Sequence, residues 1–149
     1  MRTPMELRYD KLGPKVAEAL ETRFFEAWYF SETDEAVKKV FSLIPKTDLV
    51  SWGGSLTATA LNLIELLYEK GYKVIDRDKA SSPEERNELF RQALLCDTYL
   101  TGTNALTEDG QLVNIDGTGN RTAAMMFGPK QVIVVAGMNK VTQTLNDAY

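Results

Sequence analysis

An α/β fold with a mainly parallel sheet is what the sequence predicts, on three observations. Helical periodicity alternates with short apolar or aromatic runs along the whole chain. Two glycine-rich loops, Gly53-Gly54-Ser55 and Gly117-Thr118-Gly119-Asn120, each follow an extended segment and open a helix. The run Gln131 to Ala136 (QVIVVA) is the most apolar strand candidate and reads as a central strand buried on both faces. Such alternation puts helices on both faces of a parallel sheet.

Taken in order, Val16, Ala17, Leu20 and Phe24 recur at helical spacing, so the first segment is an amphipathic helix running to about Arg23. Ala27 to Phe30 reads as a short aromatic strand that carries Trp28 into the sheet or core. Ser31 to Asp34 offers caps for a helix whose buried face is Ala36, Val37, Val40, Phe41 and Ile44, stopped by Pro45. Leu49 to Trp52 is the next strand, and a helix from about Thr57 to Lys70 follows it. Gly71 closes that helix, since it can take the left-handed conformation. Lys73 to Ile75 is a strand, and Asp76-Arg77-Asp78 is a loop. Ser82-Pro83-Glu84-Glu85 starts a helix with a cap, a proline at the first helical position and acids at the positive end of the dipole.

The window Thr101 to Arg121 holds four glycines, three asparagines, four threonines and three acids, which no packed helix would carry. It reads as the end of a strand through Tyr99 and Leu100, a small hairpin turning at Glu108-Asp109-Gly110, and the loop 116–120 entering a helix. That helix spans Thr122 to Phe127 and closes at Gly128-Pro129. A final helix is expected from near Val141.

Composition narrows the function. At 149 residues, 44% hydrophobic and 26% charged, residues 1–149 are expected to form one domain with a real core. A net charge of −4 without a basic run gives a nucleic-acid partner no electrostatic support. The lone Cys96 allows neither an internal disulfide nor a cysteine cluster, and it reads as a small core residue. Histidine is absent, so acid–base work falls to Asp, Glu, Lys or Tyr. No metal is expected, since histidine is absent and cysteine single, and no cofactor, for the chain has neither a Walker lysine pattern nor a complete GxGxxG after a strand. No apolar run approaches a membrane span and no signal-peptide core opens the chain, so the cytoplasm is the expected compartment.

In a parallel sheet, ligands bind beyond the carboxyl ends of the strands, where both glycine loops can converge. Gly53, Gly54 and Ser55 offer backbone N–H groups and a hydroxyl to an anion; the alternative is a tight turn capped by Ser55 or Thr57. Gly117, Thr118, Gly119, Asn120 and Arg121 repeat that logic with a guanidinium, which either holds a phosphate or carboxylate or pairs with Asp116. Asp116 is the candidate for a buried catalytic carboxylate, with Glu108 of the turn as a second. Asp76, with Arg77 and Asp78 beside it, follows a strand and either lines the same edge or forms a surface cluster. Lys140, after Gly137-Met138-Asn139, is a further candidate cation.

At these residues the chain resembles the LUD domain family, the lactate-utilisation protein C group. The matching pieces are Trp52-Gly53-Gly54-Ser55, Asp76-Arg77, Ser82 to Arg86, Thr101 to Arg121, Phe127 to Lys130, and Gly137 to Lys140. The resemblance implies a three-layer α/β/α sandwich of the NagB/RpiA/CoA-transferase type and a tie to bacterial L-lactate oxidation. The partners it implies are an anionic small molecule and an iron–sulfur protein, with a homodimer as the self-association to consider. Family members often continue into a cysteine-bearing part that has no counterpart here, so no direct share in electron transfer is expected. A more distant likeness is to sugar-phosphate aldose–ketose isomerases, at Gly102-Thr103-Asn104 and Asn114 to Thr118. It implies ligand contacts from Thr103 and Asn104, but Asn104 stands where those enzymes carry the carboxylate, and an amide cannot exchange a proton at useful pH. The two readings are therefore an accessory subunit that binds an anion and an enzyme acting on a phosphorylated or CoA-linked small molecule.

Overall fold

Four parallel strands form the main sheet of the computed structural model, which describes residues 1–149. They are β1 (Leu49–Trp52), β2 (Lys73–Val74), β3 (Thr98–Thr101) and β6 (Gln131–Val134), in the order β2-β1-β3-β6. A second sheet combines β4 (Ala105–Thr107), β5 (Leu112–Val113) and β7 (Val141–Thr142), in the order β5-β4-β7. The helices are α1 (Pro4–Thr22), α2 (Thr33–Ser42), α3 (Leu56–Ala60), α4 (Leu63–Glu69), α5 (Pro83–Ala93) and α6 (Asn120–Met126). The architecture is thus an α/β sandwich on a mainly parallel sheet, as the sequence predicts.

The chain divides into two compact units. The sheet unit comprises residues 40–102 and 115–135. Val50 pairs with Val74 and Thr98, and Thr98 with Gln131, so the side chains of one row share a face. Tyr99 points to the other face with Leu49, Ile75 and Val132, where Ala93 and Leu94 at the end of α5, Cys96 and Ala124 of α6 close over it. α4 lies against β2 and supplies the fully buried Leu63 and Leu67. Its end is closed as expected: Gly71 has φ +75°, its N–H donates to Tyr68 O at 3.0 Å, and Tyr72 N–H donates to Leu67 O at 3.1 Å. Ser82 caps α5 through its hydroxyl, which accepts from Glu85 N.

The second unit comprises residues 1–39, 103–114 and 136–149. Its α1 opens with a capping box in which Thr3 and Glu6 satisfy each other's backbone N–H groups. The hairpin β4–β5 turns at Gly110, φ +86°, where an added Cβ would stand 2.8 Å from the backbone of Ala19. Arg23 fastens the turn, Nε donating to Asp109 O at 2.8 Å.

Four expectations need correction. Ala27 to Phe30 pairs with no strand; the Tyr29 ring packs on Gly13 of α1 and its hydroxyl donates to Asp10 at 2.8 Å. Trp28 is half-exposed under Lys39 rather than in the core, because aromatic β preference operates only where a pairing edge is at hand. The helix expected from Thr57 to Lys70 is broken at Asn62, whose φ of +53° is one that asparagine tolerates. β6, expected at the centre, is an outer strand in which only Ile133 is buried. The central places belong to β1 and β3, whose polar Ser51 and Thr98 are tolerated because their hydroxyls donate to Ile75 O and Asp48. Lastly, Val141 begins β7, parallel to β4, instead of a helix.

Candidate functional site

Three strands of the sheet unit deliver their carboxyl ends to one edge, and the glycines there bring side chains unusually close. Gly53 follows β1 and extends its ladder, its N–H donating to Leu100 O at 2.9 Å. A Cβ at Gly53 would meet the Tyr99 hydroxyl at 2.9 Å and the Arg121 stem at 3.1 Å. A Cβ at Gly54 would stand 3.1 Å from Nη2 of Arg77. A Cβ at Gly102, after β3, would lie 2.7 Å from the Ser55 hydroxyl. Bare backbone at these three positions is what admits two guanidinium groups, a phenol and a hydroxyl to the same edge. The glycine loops at 53–55 and 117–121 therefore do meet, through Arg121.

Arg121 and Asp116 form a buried ion pair, Nε to Oδ1 at 2.9 Å, with each side chain 10% exposed. The other oxygen of Asp116 accepts from Thr122 N at 2.7 Å, at the start of α6. Burial alone would raise the Asp116 pKa, but the Thr122 N–H and the Arg121 guanidinium outweigh it and hold the carboxyl below its ordinary value. Burial pushes the Tyr99 hydroxyl up to about 12, so the phenol stays protonated and is a hydrogen-bond donor at neutral pH. Asp116 is thus a fixed anion, and Tyr99 a fixed neutral donor.

Arg77 is the residue that sequence reasoning underweighted. It lies in a short 3-10 turn after β2 (Arg77–Lys79), with its side chain only 16% exposed. Its guanidinium sits over the Phe90 ring at 5.4 Å, yet its Nε is buried with no hydrogen-bond partner. The nearest carboxylate oxygen to that nitrogen, Oδ1 of Asp78, is 3.6 Å away. A buried donor without an acceptor is costly, which makes Arg77 the least satisfied polar group of the edge. The sequence signal for it is the strand-then-charge pattern Asp76-Arg77-Asp78, which does not distinguish Arg77 from its acidic neighbours.

Asp76 itself is occupied: one oxygen accepts from Asp78 N at 2.9 Å, and the other accepts from the Tyr68 hydroxyl at 2.5 Å. Ser55 caps the five-residue α3, accepting from Ala58 N at 3.1 Å. With the helix broken at Asn62, little dipole stands behind that turn. Thr118 donates to Asn120 at 2.7 Å across the loop, Gly117 stands in open space, and Gly119 caps α6 with φ +78°.

The remaining candidates belong to the other unit. Buried Thr103 places its hydroxyl 3.1 Å from Val113 O and 3.0 Å from Asn114 Oδ1, pinning the neck of the hairpin, with exposed Asn104 beside it. Glu108 borders a groove along α1, and Lys140 ends a 3-10 turn (Met138–Lys140) with its N–H donating to Gly137 O. No group of three or more carboxylate, thiol or imidazole side chains comes together in the chain. No helix is long and apolar enough to cross a membrane.

Neither a curated protein nor a solved structure gives a significant match to the chain. A family profile does: the LUD domain matches residues 13–149, a span that includes β1 to β7 and the whole glycine-rich edge. On that match the chain belongs to the LUD domain family.

Proposed function

We propose that this LUD domain is an accessory subunit that binds an anionic metabolite in bacterial L-lactate oxidation to pyruvate, alongside an iron–sulfur partner protein. Family membership supports the lactate-utilisation context. The observation that carries the binding role is Arg77, a guanidinium whose buried Nε has no hydrogen-bond partner, held against the Gly53-Gly54 turn. A carboxylate or phosphate there would satisfy the guanidinium in a partly desolvated setting, where charge-assisted hydrogen bonds are strong. The protonated Tyr99 hydroxyl offers a donor beside Gly53, next to the stem of Arg121, whose guanidinium pairs with Asp116. Residues 1–149 act together as one domain in this reading.

The alternative is an enzyme on a phosphorylated or CoA-linked small molecule, with Asp116 or Glu108 as the acid–base. It draws less support from the geometry. Both oxygens of Asp116 are engaged, and a carboxyl held below its ordinary pKa is a poor base near neutrality.

Thermal shifts with lactate, pyruvate, CoA, acyl-CoAs, sugar phosphates and nucleotides test the reading on wild type, Arg77→Met and Arg121→Ala. Binding stabilises the native state by about 2.7 kcal/mol at a hundredfold excess over Kd. One ligand class is expected to raise Tm in the wild type and to have no effect on Arg77→Met. A shift that survives in Arg77→Met would refute the assignment of the anion to this edge.

A further inference from the structure

A groove of about 500 Å³ runs along α1 in the second unit, lined by Pro4, Leu7, Arg8, Lys11, Leu12 and Lys15. These positions fall three and four residues apart, so they form one stripe of the helix. The stripe is separate from Gly13 and Val16, which α1 buries. Its surface is mostly apolar, from Pro4, Leu7 and Leu12 and from the methylene stems of the three cations. Leu7 is half-exposed, a cost the isolated chain does not recover.

Three of the six stripe residues are cations, and none is an acid. Arg2 pairs with Asp10 and Glu32, and Arg23 pairs with Asp109. Arg8, Lys11 and Lys15 have no carboxylate within ion-pair distance, although the chain carries a net charge of −4. Glu108 borders the groove, and beyond it the trough continues for about 350 Å³ past Met138 and Val141 to Asp147, whose carboxylate accepts from the Thr144 N–H and hydroxyl. Five of the six stripe residues precede residue 13, where the family match begins.

We propose that the groove docks an acidic amphipathic helix of a partner protein. Its apolar ridge would fill the trough, and its carboxylates would meet Arg8, Lys11 and Lys15. A bilayer surface, being flat, reaches convex ridges better than a concave trough. An open, elongated trough also lacks the enclosure a small molecule needs to be buried.

The test is fluorescence anisotropy with a fluorescein-labelled peptide of about 18 residues, five helical turns, built from Leu and Glu so that Leu forms one face. The controls are its Gln and Lys counterparts and phosphatidylserine vesicles. Saturable binding of the Glu peptide to wild type is expected. It should weaken about tenfold or more in Arg8→Glu/Lys11→Glu/Lys15→Glu and in Leu7→Asp, and should be unchanged in Arg77→Met. Lys11→Glu alone covers the case in which the triple variant does not fold. Equal binding of the Gln peptide, no loss in the variants, no saturable binding into the millimolar range, or vesicle binding in place of peptide binding would each overturn the proposal.

Discussion

The aliphatic stem of Arg121 lies across Gly53, so that a methyl group there would stand 3.1 and 3.2 Å from its Cγ and Cδ and 2.9 Å from the Tyr99 hydroxyl. Tyr99 is 2% exposed and has nowhere to swing. Gly53→Ala is therefore expected to destabilise the protein by about 1–3 kcal/mol through overpacking, measured by urea unfolding. Gly71→Ala is the contrast: it meets nothing within 4 Å but has φ +75°, so about 1 kcal/mol should be lost from backbone conformation alone. Only the first should also abolish the ligand-induced thermal shift.

Asp116→Asn leaves the Arg121 guanidinium buried without its counter-charge. Loss of one member of such a pair costs about 3 kcal/mol or more. The acid dependence has a definite sign. Because the folded pKa lies below the unfolded value of about 3.9, the contribution of Asp116 is complete above that value and drains away as pH falls through the folded pKa. The stability gap between wild type and Asp116→Asn should be full at neutral pH and should close below about pH 4. A gap of constant size across that range would mean that the lost interaction is not that of a titrating carboxylate.

Arg77→Met separates binding from stability. The methionine keeps an apolar stem against Phe90 and removes a buried donor that has no hydrogen-bond partner, so Tm without ligand should stay level or rise. Ligand-dependent stabilisation should vanish in the same variant. A fall in Tm equal to that of Asp116→Asn would show instead that Arg77 is a structural cation.

Cys96 should be inert in the native protein. It is 1% exposed, and burial pushes its thiol up to about 11, so about one molecule in a thousand is thiolate at pH 8. A thiol-reactive disulfide reagent at that pH is expected to titrate no thiol in the native protein and one after denaturation. Rapid native labelling would mean that the loop between α5 and β3 opens readily.

Local signals made much of this fold legible. The Ser82-Pro83 helix start, the Gly71 helix end and the hairpin at Gly110 are set by residues adjacent in sequence, and each stands where the sequence predicts it. Strand order was not legible. QVIVVA looks central because it is apolar, whereas hydrogen bonds made elsewhere in the chain let Ser51 and Thr98 occupy the central strands. Of the edge, the meeting of Arg121 with Gly53 follows from two loops that each open a helix. The weight of Arg77 over Asp76 does not, because it depends on Tyr68 engaging the carboxylate and on Phe90 covering the guanidinium. Those are partners 8 or more residues away, beyond any local pattern.

The backbone passes between the two units four times, after Lys39, Gly102, Asn114 and Val135. Neither unit is thus one contiguous stretch of coding sequence. A single recombination event could not exchange one for a foreign counterpart, nor could a single protease cut release one intact. The glycine-rich edge and the α1 groove are thus written in interleaved segments of one coding sequence.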